Sequence, residues 1–308
     1  MGRLAANARK VAALVFPRYF FRRIMGGRPG SGCPYCIVSF DCDFPRDVEA
    51  LPRLLPLLQR YGIRASFACI GQWVRRYPDE HRLLVEAGYE ILNHTETHPN
   101  LYHPDYDYAR ADGLSRTPFN RIGPRQRREE IERGHATLAE ILGVEPVGFR
   151  TPHFGALHVD DVYGPLVELG YRFSSSVMAA ERGGAPYRTG EGLWEIPVSP
   201  CPLHPCGVFD SWHALGKRGA SHCGPGELAD LFAVLADAAA GGCGLVNVYF
   251  DPKDVLESGE LERVLAALAE RDIELVDYAG LVDALEKPAL PPDSVQSIGA
   301  PRTWFFPA

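Results

Sequence analysis

Two short stretches of this chain carry residues that can do chemistry together. The first is Ser39-Phe40-Asp41-Cys42-Asp43. An apolar run, Cys36-Ile37-Val38, leads into it and reads as a buried strand. Pro45 and Asp47 follow, so both carboxylates stand at the strand's end. Aspartate is disfavoured in strands and costly to bury unpaired. Two of them at such an edge point to a metal site or an acid–base site. The alternative is a turn with a helix cap, a role that Asp47 can also fill. The second stretch is His94-Thr95-Glu96-Thr97-His98. Histidines four apart share one face of a helical turn at chelating distance. In an extended strand they lie roughly 13 Å apart. They are a ligand pair only if the chain turns there, and Pro99 is consistent with the strand having ended. Otherwise they are two surface histidines flanking a turn. Glu96 stands one place too late for the His-Glu-x-x-His helix of zinc peptidases.

Taken together, one carboxylate and two histidines make a facial triad that leaves open positions on a divalent ion. The second carboxylate stays free for acid–base work. Such an ion lowers the pKa of bound water towards ~7 and polarises a carbonyl. A general base then takes the water's proton, which suits hydrolysis of an amide or ester.

The elements that must position these residues alternate along the chain. Strands are expected at residues 36–38, 65–70, 90–93, 147–149, 171–177, 193–198, 245–250 and 273–276. Helices are expected at 48–61, 78–87, 124–142, 159–169, 227–240, 261–269 and 278–285, several closed by glycine. Pro56 should kink or interrupt the first of them. Alternation of this kind means a parallel sheet, open or closed into a barrel. No glycine-rich phosphate fingerprint follows the first strand, so a dinucleotide fold has no support. Asp41, Asp43, His94, Arg150 and Asp251 fall at the carboxyl ends of strands, the edge where a parallel α/β barrel forms its active site. Residues 99–123 form a polar connection longer than an ordinary loop.

Composition sets wider bounds. The chain has 308 residues, 46% hydrophobic and 23% charged, an ordinary globular profile. Its net charge of -7 implies no nucleic-acid partner. The charge is uneven. Arg3, Arg9, Lys10, Arg18, Arg22, Arg23 and Arg28 precede Asp41, the first acidic residue, so the remainder holds 25 basic against 39 acidic residues. The expected organisation is a basic amphipathic arm over 1–30, a catalytic domain over 31–286 and a proline-rich tail over 287–308. The arm's apolar run, 11–16, is too short to span a bilayer and makes a poor signal peptide. The arm either lies on an anionic membrane surface or packs on the body with solvated arginines, an organellar transit peptide being a weaker third reading. Cys42, Cys69 and Cys243 read as buried thiols, which suits a reducing compartment. Cys33-Pro34-Tyr35-Cys36 precedes a strand rather than opening a helix, so it does not read as a redox dithiol.

The three motifs, in order, resemble those of the polysaccharide deacetylases of the NodB-homology type. An acidic motif follows the first strand (Asp41-Cys42-Asp43), then His-Ser/Thr-x-x-His (His94 to His98), then Arg-x-Pro (Arg150-Thr151-Pro152). The resemblance spans about Ile37 to Tyr278. It implies a distorted (β/α) barrel with fewer than eight strands and metal-dependent removal of an N-acyl group, usually acetyl, from an amino sugar. Carried over residue by residue, it makes Asp41 the general base and Asp43, His94 and His98 the ligands of one divalent ion. Zinc is the default, with cobalt, nickel or iron suited to the same set. Arg150 orients Asp41 and keeps it ionised, and Thr95 supports the metal site. Trp194 falls where the family lines its acyl pocket, or is plain core. Pro152, His153 and Tyr249 stand beside the motifs as substrate-contacting candidates.

One departure matters. The family's last motif supplies a general-acid histidine after an apolar strand, and here Val248-Tyr249-Phe250 runs into Asp251. Either Asp251, with a pKa raised by burial, takes that role, or His153 or His204 does, or catalysis is weak. The alternatives to a glycan deacetylase are a catalytically dead carbohydrate-binding relative and an amidohydrolase of the same fold acting on a non-sugar amide. Tyr102, Tyr106, Tyr108 and Trp212 are available for sugar stacking. With no export signal readable, the expectation is a cytoplasmic enzyme peripheral to the inner face of a membrane, acting on an amino-sugar glycan or a lipid-linked saccharide. Arg110, Arg116 and Arg121 would then meet a sugar-linked phosphate.

Overall fold

The computed structural model describes residues 11–13, 15–25, 34–99, 117–155, 157–211, 215 and 226–287. Nine strands appear among them: β1 (Tyr35–Cys42), β2 (Ala65–Cys69), β3 (Glu90–Asn93), β4 (Gly148–Phe149), β5 (Phe173–Ser174), β6 (Tyr187–Arg188), β7 (Trp194–Glu195), β8 (Leu245–Phe250) and β9 (Glu274–Leu275). The helices are α1 (Pro17–Met25), α2 (Pro45–Arg60), α3 (Gly71–Arg76), α4 (Pro78–Glu86), α5 (Pro124–Leu142), α6 (Tyr163–Glu168), α7 (Ala179–Arg182), α8 (Glu227–Ala238), α9 (Pro252–Glu257), α10 (Glu260–Ala269) and α11 (Tyr278–Glu286).

The strands form one sheet in the order β6-β7-β5-β4-β3-β2-β1-β8, with β9 on the first residues of β1. Every pairing is parallel except β6 with β7. The sheet curls until the segment after β7 reaches β8: Ser199 N–H donates to the Asn247 carbonyl at 2.8 Å, and Asp210 bridges Tyr249. The result is the distorted barrel expected from the motifs, mixed only at its β6 edge.

β1 is buried along its whole length and shows why both faces are needed. Cys36, Val38, Phe40 and Cys42 point outwards into the layer formed by Leu51, Leu54 and Leu58 of α2, Phe232 of α8 and Leu265 of α10. Tyr35 and Ile37 point inwards with Ala68, Leu92 and Phe173, joined by Tyr278, Leu281 and Val282 of α11. α11 follows β9, which pairs with Tyr35 and Cys36, so this apolar cluster fills the amino end of the barrel. The carboxyl end is left to polar groups.

Two local expectations are corrected. Pro56 does not interrupt its helix: α2 runs unbroken through Pro52 and Pro56. Both prolines are on the exposed face of α2, where their rings do not enter the core. β6, α3 and α9 are not among the elements expected from the sequence; each is six residues or fewer, below the length at which periodicity speaks. Tyr102, Tyr106, Tyr108, Arg110, Arg116 and Trp212 lie outside the described residues, as do Cys33 and the tail beyond 287.

Candidate active site

The chain does turn between the two histidines. β3 ends at Asn93, and Thr95 and His98 take φ values of 69° and 50°, the left-handed region. Non-glycine residues there are held against a cost of about 1–3 kcal/mol each. Hydrogen bonds supply the hold. Asn93 Oδ1 accepts the Thr95 N–H at 2.9 Å, and Thr95 Oγ1 accepts the His98 N–H at 3.1 Å. Glu130 of α5 accepts the N–H and the hydroxyl of Thr97 at 2.8 and 2.9 Å, while its carbonyl accepts the Glu96 N–H at 3.1 Å. Buried Glu96 accepts from the Thr137 hydroxyl at 2.7 Å and from Arg75 Nε at 3.1 Å. α5 comes this close because Gly134 has no side chain; a Cβ there would stand 2.4 Å from Asn93 Oδ1. The two imidazoles end 4.8 Å apart, centroid to centroid.

Asp43 completes the group. Its Oδ1 lies 3.2 Å from His94 Nε2 and 3.4 Å from His98 Nε2, and one donor atom from each of the three residues falls within 4.8 Å of the others. His94 Nδ1 sits 2.7 Å from the Arg150 carbonyl. A carbonyl only accepts, so Nδ1 carries the proton and Nε2 presents its lone pair. Asp43 Oδ1, His94 Nε2 and both His98 nitrogens are buried without a hydrogen-bond partner. Orphaned buried polar atoms are rare and demand an explanation. Two imidazoles and a carboxylate form a donor set for a divalent ion, and such an ion would satisfy them. Burial opposes charge on Asp43, but His98 and His94 outweigh it and hold the carboxyl below its usual range. Burial pushes His98 down to about 3, leaving it neutral as a ligand must be.

Beside this group Asp41 forms a buried ion pair with Arg150 Nη1. Arg150 has no exposed surface. It crosses the barrel interior, donating to Ser39 Oγ at 3.0 Å, the Ser175 carbonyl at 3.2 Å and the Tyr278 hydroxyl. Tyr278 in turn donates to Asn247 Oδ1 at 2.7 Å. Burial pushes the Asp41 pKa up, and the guanidinium opposes the rise without cancelling it. Asp41 is thereby a stronger base than an exposed aspartate.

The family model described as polysaccharide deacetylase matches residues 30–174, a stretch that contains Asp41, Asp43, His94, His98 and Arg150. Over that stretch the chain is a member of the polysaccharide deacetylase family. A chitooligosaccharide deacetylase of Sinorhizobium fredii is 38% identical over 74 residues, covering 24% of this chain and 34% of the relative. The matches span only between 23% and 37% of the length of the first curated relatives. A polysaccharide deacetylase structure from Mycobacterium smegmatis superposes with a TM-score of 0.66 at 21% identity, covering 84% of this chain and 93% of that one. An allantoinase structure gives 0.63 at 12% identity, covering 83% and 91%. Both likenesses speak to the fold.

Against the deacetylase pattern, the remaining candidates divide. Asp251 ends β8, next to β1, and caps α9. It is buried; its Oδ2 accepts from Ser211 Oγ at 2.9 Å. Burial pushes its pKa well up, reinforced by the charges of Asp47, Asp43, Asp254 and Asp210. Tyr249 lies under Arg150, 5.5 Å from guanidinium carbon to ring centroid, and packs edge-on against Phe154 at 4.9 Å. Pro152 is buried, whereas His153 is exposed with φ 51°, close enough for its charge to act on Asp43 and His98. His204 faces Cys201 Sγ at 3.6 Å. Trp194 is stacked by Arg188 at 4.5 Å, bonds Glu286 at 3.2 Å and packs on the amino-end cluster, a placement that lends the acyl-pocket reading no support. Glu130, Thr137 and Arg75 were not picked out from the sequence; they are charged or polar helix residues with nothing to mark them.

Proposed function

We propose that this chain is a metal-dependent N-deacetylase acting on an amino-sugar glycan, with zinc as the default ion. The observation that carries the reading is the convergence of Asp43, His94 and His98, with orphaned donors, beside the Asp41–Arg150 pair. Substrate class follows the family and its Sinorhizobium fredii relative, a chitooligosaccharide deacetylase.

Asp43, His94 and His98 would hold the ion, which when bound lowers the pKa of water and polarises the acyl carbonyl. Asp41 takes the proton from the attacking water as the new C–O bond forms at the acyl carbon. Arg150 holds Asp41 by its ion pair, anchored in turn by Ser39 and Ser175. As the C–N bond breaks, the leaving nitrogen needs a proton. Asp251, kept protonated by burial among like charges, is the group we assign to give it.

The test is acetate release from acetylated chitooligosaccharides with added Zn2+, Co2+ or Ni2+ and with chelator. Turnover should need metal, and Asp41→Asn should abolish it while leaving the metal bound. Glycan binding with no acetate released under any metal would make this a binding relative instead.

A further inference from the structure

α1 has one docked face and one bare face. Phe21, Ile24 and Met25 are buried against the body. Gly184 N–H donates to the Ile24 carbonyl at 3.0 Å, and a Cβ on Gly184 would stand 3.3 Å from that oxygen, so helix and body touch. Gly184 follows α7, on the segment that leaves the carboxyl end of β5. That is the end of the parallel sheet that carries Asp43, His94 and Arg150. Helix and metal group share one end of the barrel.

The bare face is apolar and basic. Val11, Val15, Phe16 and Tyr19 are 61, 63, 63 and 60% exposed. Bonds from Phe16 N–H to Ala12 and from Phe20 N–H to Phe16 run the preceding turn into α1, so these side chains line one ridge. Arg18, Arg22 and Arg23 are exposed alongside. Elsewhere the exposed large apolar side chains of the described residues, Leu83, Val167, Leu203 and Val234, are scattered singly and reach only 37–45%. Scattered residues need no explanation; a contiguous patch does. No helix among the described residues is long and apolar enough to cross a membrane. Two copies meeting through this face would press their arginines together. An anionic surface with an apolar layer beneath it satisfies both kinds of side chain at once.

We propose that this face lies in the headgroup layer of an anionic bilayer, which sets the site at the membrane surface and makes the substrate a saccharide carried on a lipid. The substrate half rests on the deacetylase reading; the docking half does not.

Flotation of the full chain with phosphatidylglycerol-rich and pure phosphatidylcholine vesicles tests the docking. The chain should float with the anionic vesicles at low salt, less at high salt, and not with phosphatidylcholine alone. Each of Arg18→Gln, Arg22→Gln and Arg23→Gln should lower the partition coefficient about fivefold, and Val15→Asp with Tyr19→Asp should abolish it. A chain that stays soluble at low salt, or floats undiminished in these variants, overturns the proposal. So does a dimer in analytical ultracentrifugation that Tyr19→Asp dissolves, or flotation gained on deleting residues 288–308, which would give the face to a second copy or to the tail. Acetate release from soluble chitooligosaccharides is measured in parallel and should not change in the arm variants. Its absence in the unmodified chain would fail the deacetylase reading and leave flotation standing. With the same sugar on a lipid in anionic vesicles, the arm variants should be slower; equal rates overturn the substrate half.

Discussion

Glu130 reaches from α5 to accept from both the backbone N–H and the hydroxyl of Thr97, the residue just before the candidate metal ligand His98. The carboxylate thus pins a turn whose two left-handed residues bring His98 round to His94. Glu130→Gln should weaken metal binding about 10–100-fold, read by titration calorimetry with Zn2+. The melting temperature of the metal-free protein should move little. A large loss of metal-free stability with unchanged affinity would make Glu130 a plain structural residue.

Metal removal separates ligands from scaffold. Ligand binding to the native state alone raises stability by mass action. Excess Zn2+ should therefore raise the melting temperature of the unmodified chain and leave His98→Ala unmoved. With chelator the two should melt within a few degrees of each other, because the His98 ring nitrogens have no hydrogen bond to lose.

The proton donor sets the basic side of the pH profile. Burial and neighbouring carboxylates raise Asp251, so it is protonated where an exposed aspartate is not, and donation fails as pH rises through that raised pKa. kcat should fall on the alkaline side. Asp251→Asn should lower it by about 10²–10⁴. Asp251→His should keep most activity and move the alkaline limb. An Asp251→Asn enzyme with unchanged kcat and profile would send the search to another donor.

Arg150 tests the interior. Arg150→Met leaves Asp41 buried and unpaired, which should destabilise the fold by about 3–5 kcal/mol. Urea denaturation would show it as a lower midpoint at unchanged slope. A change under 1 kcal/mol would mean that Asp41 is simply protonated in the variant.

Much of the site is legible in the sequence. Asp41, Asp43, His94, His98 and Arg150 could be read from residue type, order and position at strand ends, because parallel α/β packing sends every such residue to one edge. The barrel's polar middle was only half legible. Ser175 is one serine of three in a row and Asn247 a polar residue in an apolar strand; both pair with Tyr278, 103 residues from Ser175 and 31 from Asn247. Nothing local encodes that meeting. Glu130 was invisible for the opposite reason: it sits in Arg128-Glu129-Glu130, where a solvated helix face would look the same. For Trp194 the sequence leaves acyl pocket and plain core open, because only the fold sets its ring between Arg188 and Glu286.

The Asp41–Arg150 pair and the three metal-facing donors stand in opposite relations to the fold. The pair is woven into β1, β4, β5 and α11, so losing either member strands a charge. His98 holds two orphaned ring nitrogens, so replacing it costs the apoprotein no hydrogen bond, whereas His94 also donates to the Arg150 carbonyl. A lineage released from selection on turnover would then shed His98 early and keep Asp41 and Arg150 long afterwards. A lone Asp–Arg pair surviving in a barrel of this kind would thus be a remnant of architecture rather than of chemistry.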